Sequence, residues 1–237
     1  MMSSTFNKSL RCFLVCSLLL TPAYTLAETT EKVTKEQTQL TPEEQVKLAE
    51  KAFNKADLIS AIKHYRKAAE AGYAPAMVRL GYKLDKAEKN EEAIEWFKKA
   101  ATLGDAEAQF ELARMYAYGE GIKKDNKKAL NLFTQSAKQN HVRAIHVLAL
   151  AYEEGGLELR VDYELAQYWL RHGQKINDDW SIKRLAQAYR KGELGLRINQ
   201  KKTRQLELQL EKLEQQRVEQ QRLKQVHLKN GMNSHAA

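Results

Sequence analysis

The sequence is poor in the residues that cut a chain into short pieces. Three prolines and eleven glycines in 237 residues leave too few turn-formers for an all-β protein, which needs one every few positions. They also exclude a collagen-like repeat. Two cysteines cannot staple a small disulfide scaffold. No apolar run reaches the roughly 20 residues that a membrane-spanning helix requires, so a polytopic membrane protein is excluded. The 43% hydrophobic content argues against a wholly disordered chain. Alanine, leucine, lysine, glutamate and glutamine dominate instead, which is helix-forming chemistry. Lys and Arg outnumber Asp and Glu by 39 to 30, a formal net charge of +9.

Residues 1–27 read as an address. Lys8 and Arg11 precede the apolar run Cys12–Leu20, Pro22 ends it, and Ala27 offers a small residue for cleavage. That order is a secretory signal peptide. It implies export across the inner membrane, to the periplasm if the source is a Gram-negative bacterium. A lipoprotein anchor on Cys16 is disfavoured because Val15 before it is not small. Both cysteines lie in this segment, so residues 28–237 hold no thiol, disulfide or cysteine metal ligand. Without Lys8 and Arg11 the formal charge falls from +9 to +7. Residues 28–40 are polar and aperiodic, a flexible lead-in. Thr41-Pro42-Glu43-Glu44 then marks a helix start, with Thr41 as cap, Pro42 in the first helical position and Glu44 reaching back.

From there the chain repeats. A leucine recurs at Leu48, Leu80, Leu112, Leu148 and Leu185, and a small residue at Ala61, Ala93, Ala129, Ala166 and Thr203. Each small residue is followed by the next leucine after a constant 19 positions, whereas leucine to small residue takes 13, 13, 17, 18 and 18. A constant step marks a packed joint, since one inserted residue turns a helix face by about 100°. Variable steps mark loops. Bulky residues follow each small one at Tyr65, Trp96 with Phe97, Phe133 and Trp169. Small residues come later, at Ala68, Ala100, Ser136 and, as a departure, Gly173. Gly72, Gly104 and Asn140 stand at helix ends, where a left-handed residue is favoured. A lone helix pair cannot bury its apolar face, but stacked pairs can.

The segment from Ala106 to Ala137 closely resembles the Sel-one-like repeat, a relative of the tetratricopeptide repeat. Tyr116, Gly119, Gly121, Asp125, Lys128 and Ala129 fall in that family's places. Leu148, Tyr152, Gly155, Asp162, Ala166 and Trp169 follow suit with one extra loop residue, and Leu185, Tyr189, Gly192 and Gly195 carry it further. The first two units lack the glycine loop. The resemblance implies an all-α fold: a right-handed α/α superhelical solenoid of about five helix pairs over residues 41–210, ending in a long C-terminal helix. Residues 211–237 read as a basic, Gln-rich helical arm with a disordered end. The resemblance also implies a non-enzymatic protein-binding scaffold or adaptor, here in the cell envelope.

By the family's register, the first helix of each pair lines a concave face. It places Tyr82, Phe110, Arg114, Tyr118, His146, Trp180, Lys183, Gln187 and Arg190 there, with Val78 and Leu150. Aromatic and basic side chains together suit a protein or an extended peptide with acidic or apolar side chains. The plain alternative is inter-repeat packing and solvated charge. A rival reading, a β-lactam-binding or cell-wall-active enzyme, rests on Ser60 and Lys63 as an S-x-x-K pair. Neither S-D-N nor K-T-G accompanies it, and a serine at the start of a helix is ordinary. The histidines show no metal spacing, and no nucleotide or cofactor motif is present, so no metal or cofactor is expected. Residues 197–229 carry a net +5, which suits a solvated arm or an anionic membrane surface. Nucleic acid is not expected of an exported chain. The sequence does not set an oligomeric state.

Overall fold

The computed structural model describes residues 40–233, with side chains through residue 227. The expected signal peptide and nearly all of the lead-in lie outside the described residues. Within them the chain is all helix: α1 (Pro42–Asn54), α2 (Leu58–Glu70), α3 (Ala74–Lys86), α4 (Asn90–Thr102), α5 (Ala106–Tyr118), α6 (Asn126–Lys138), α7 (Val142–Glu154), α8 (Tyr163–Lys175), α9 (Asp179–Lys191) and α10 (Gln200–Asn233). The main packing contacts all join helices that are consecutive in the chain. The result is the expected solenoid of helix pairs, built from Thr41 onward.

Local chemistry sets the helix starts. Asp57, Asp105, Asp125, Asp162 and Asp178 each cap a helix by accepting a backbone N–H three residues on. Such a carboxylate satisfies an orphan amide and meets the positive end of the helix dipole. Thr41 and Glu44 form the full reciprocal box expected of them. Gly72, Gly104 and Asn140 adopt positive φ at helix exits.

The 19-residue stagger is the core. Leu80, Leu112, Leu148 and Leu185 are 0–5% exposed, and Ala61, Ala93, Ala129, Ala166 and Thr203 are buried with them. Leu48 is only half-buried; Gln45 and Ala49 take the buried face of α1, on which no earlier pair packs among the described residues. The apolar interior falls into two clusters that meet at α5. Ala108, Leu112 and Met115 belong to the first, and Phe110, Ala113 and Ala117 to the second. Helix α5 accordingly buries eight of its thirteen residues. The first turns of α10 close the stack with Leu206, Leu210 and Leu213, and beyond Leu213 the described residues of α10 are exposed. Arg217 ties that stretch back by a bidentate pair to Asp179, 2.6 and 2.7 Å.

Candidate partner-binding groove

The odd-numbered helices stand side by side in successive repeats, and charge links them. Each passes a carboxylate to an arginine on the next: Glu50 to Arg79 (3.2 Å), Asp85 to Arg114 (3.9 Å), Glu111 to Arg143 (3.2 Å) and Glu153 to Arg184 (3.2 Å). The densest rung surrounds Glu111, whose residue is 3% exposed. It accepts from the Tyr82 hydroxyl at 2.8 Å, Arg114 Nε at 3.0 Å and Arg143 Nη1 at 3.2 Å. A buried carboxylate is tolerable only with that many donors. Glu107 beside it bonds Tyr82, His141 and Arg143. Burial pushes Glu107 up, but those three hydrogen bonds outweigh it and hold the carboxyl below the usual range. Burial, and then Glu107, push the Tyr82 phenol far above its ordinary value.

This ladder relocates several residues expected on an open face. Tyr82 is a strut of the rung, its ring edge-on to Phe97. Arg114 is held by Glu111 and Glu120 as well as by Asp85. His146 bonds the capping Asp178 at 2.7 Å and stacks on Trp180 at 4.3 Å, so this pair welds α7 to α9. Val78 is core. Arg190 pairs with Glu207 and braces α10. Lys183 and Gln187 are exposed.

The structure does bring Phe110, Arg114, Tyr118 and Leu150 together. They line a groove of about 520 Å³ between α5 and α7, within the range of pockets that seat ligands. Phe110, 6% exposed, forms the floor against Phe133, and Tyr118, 74% exposed, stands at the rim. Val147, Ala117, Ala151 and Leu157 complete the apolar lining, and Lys124, Asn126, Glu154 and Glu158 supply polar groups. The Asn126 Oδ1 is buried with no hydrogen-bond partner among the described residues. Glu154 is shared with a second hollow of about 560 Å³ that holds Gln187, Arg184, Glu153 and Glu193. Phe133, Asn126, Leu157 and the two glutamates do not follow from the first-helix register. Asn126 and Phe133 come from the second helix of one unit, Leu157 and Glu158 from the loop inside the next, where the extra residue is the signal, and Glu154 ends α7 one place past the register positions.

Ser60 and Lys63 lie outside these hollows. Ser60 sits in the first turn of α2, its N–H donating to Asp57 at 3.0 Å, and Lys63 is exposed. Among the described residues no group of three or more His, Cys, Asp or Glu could hold a metal ion, and no helix is long and apolar enough to cross a membrane. Along α10, Arg204 pairs with Glu207 and Glu211, and Arg222 with Glu219; with Arg217 on Asp179, much of the arm's charge is balanced locally.

Comparison with known proteins gives the same architecture. Residues 55–73, 74–105, 106–141 and 142–171 match the Sel1 repeat. An uncharacterized protein of Neisseria meningitidis is 32% identical over 117 residues, which is 49% of this chain and 25% of that protein. An exopolysaccharide production negative regulator of Rhizobium meliloti is 28% identical over 102 residues, 39% of this chain and 38% of that protein. The chain thus spans well under half the length of these relatives. Among solved structures, a Sel1 repeat protein from Oxalobacter formigenes superposes with a TM-score of 0.61 at 27% identity, covering 78% of this chain and 75% of that one. A protective antigen of uropathogenic Escherichia coli strains gives 0.64 at 29% identity, covering 76% and 40%.

Proposed function

Residues 55–171 belong to the Sel1 repeat family, and from that premise we propose that this chain is a non-enzymatic adaptor that grips a partner protein or extended peptide in the groove between α5 and α7. Sel1 repeat proteins are generally protein-interaction scaffolds, and one relative is named a negative regulator of exopolysaccharide production. A regulatory adaptor of the cell envelope, exported by the segment 1–27, accords with both. The observation that carries the reading is the groove itself. Its apolar floor and rim come from two successive repeats, so the surface exists only where they stack. An apolar pocket rimmed by polar groups is what a side-chain anchor needs.

The test is crosslinked capture from a periplasmic extract, comparing the wild type with Tyr118→Ala/Leu150→Ala. Both side chains are exposed, so the variant keeps its fold, whereas Phe110→Ala would hollow the core. Partners recovered by the wild type should be lost by the variant. Equal recovery from both would remove the groove from the binding surface.

A further inference from the structure

We infer that the groove selects an extended peptide in which a bulky apolar side chain is followed, a residue or two on, by lysine or arginine. This rests on the groove being the partner site. The chain as a whole is basic, at +9, yet the charges at this site are not arranged for an acidic ligand. The arginines are already engaged: Arg114 by Glu111 and Glu120, and Arg184 by Glu153 and Glu193. Lys124 is left as the unpaired cation of the lining, against two unpaired acids, Glu154 and Glu158, among the described residues. The two acids stand on the α7 side, and Glu154 is the residue shared with the second hollow. A peptide that seats an apolar side chain over Phe110 and continues along the face toward α9 therefore meets carboxylates next.

A comparison among the loops sets the acidic wall apart. Glu158 has φ +62° in a loop whose matching positions elsewhere are Gly121 at +66° and Gly195 at +67°. A side chain at such a φ is strained where glycine would not be, so this loop carries a carboxylate into the lining at a cost that the two glycine loops avoid.

The experiment uses the full chain and fluorescein-labelled Gly/Ser peptides. One carries a tryptophan followed two positions on by paired lysines, the second has glutamates for the lysines, and the third has alanine for the tryptophan. Anisotropy should show the first binding about tenfold or more tighter than the second, and weakening as salt rises to about 0.5 M. Glu158→Gly should lower that affinity without lowering the melting temperature, because the loop is relieved; Glu154→Gln should lower it too. Tighter binding of the glutamate peptide, or no loss in Glu154→Gln/Glu158→Gln, would overturn the selectivity while leaving the groove as a site. Binding indifferent to the tryptophan, or no binding of any peptide, would overturn the groove reading and the selectivity with it.

Discussion

At the scale of single residues, packing is conserved as a pair property rather than position by position. At each joint between an even helix and the next odd helix, two small residues eight positions apart are buried: Ala68 and Ala76, Ala100 and Ala108, Ser136 and Ala144. In the last such joint the pair is Gly173 with Ser181. A Cβ on Gly173 would stand 2.6 Å from the Ser181 Cβ, and the serine that stands on the even helix at Ser136 stands on the odd helix here. The Ser181 hydroxyl is buried and has no hydrogen-bond partner among the described residues, whereas Ser136 donates to the Ala106 carbonyl at 2.6 Å. Gly173→Ala should therefore destabilise by about 1–3 kcal/mol through overpacking, despite alanine's better helix propensity. Adding Ser181→Gly should recover most of the loss, since it empties the space that the new Cβ would enter. Urea titration of the four members of this cycle measures the coupling, and additive effects would show that the two residues do not share one space. In the sequence Gly173 reads as a departure from the pattern, because its compensating partner lies on another helix.

At the scale of elements, two kinds of connection behave differently. The step from even to odd helix is fixed because both of its helices bury a face in one joint; the loop from odd to even helix is free to vary. The stretch from Gly155 to Asp162 is one residue longer than that from Gly119 to Asp125, and the added length carries Leu157 and Glu158 into the groove, both at positive φ. Deleting Leu157 should leave the far-ultraviolet dichroism and melting temperature within a few degrees of the wild type, while peptide binding in the groove is lost. Inserting one alanine after Gln139, in the joint between α6 and α7, should instead turn α7 by about 100° and collapse the cooperative melt. If the two changes destabilise equally, the contrast between joint and loop is wrong. This difference also explains what was legible. The stagger, the Thr41 cap, the exits at Gly72, Gly104 and Asn140 and four of the five leucines are local, set within some 19 residues, and they could be read from spacing and residue type. The groove could not, because Arg114 is spoken for by Asp85 from the preceding repeat and by Glu120 from the following loop, and no register of first helices records that. Phe110 and Tyr118 look alike in sequence, yet one is floor and the other rim.

At the scale of the whole stack, contacts between neighbours alone would let repeats open one at a time, as in a linear chain of weakly coupled units. The carboxylate rung opposes that. Arg143 on α7 reaches the Tyr82 hydroxyl on α3 at 3.3 Å, and both bond Glu107 on α5, so one polar cluster ties three successive repeats. It sits at α5, where the two apolar clusters also meet. The clasp depends on charge. Glu107 is held below the usual carboxylate range, with its three hydrogen bonds outweighing its burial, so near pH 4 the unfolded chain binds the proton that the folded chain refuses. Its stabilisation is therefore present above the unfolded glutamate value of about 4.3 and is lost as the pH falls through the lower folded one. Wild type and Glu107→Gln should differ clearly in urea midpoint at pH 7 and converge near pH 3, with the variant showing the flatter profile between. The wild-type transition should also broaden in acid as the link through Glu107 weakens and the two halves uncouple. A midpoint gap that stays constant from pH 7 to pH 3 would mean that the cluster is not the link, and that the stack holds its cooperativity through the helix joints alone.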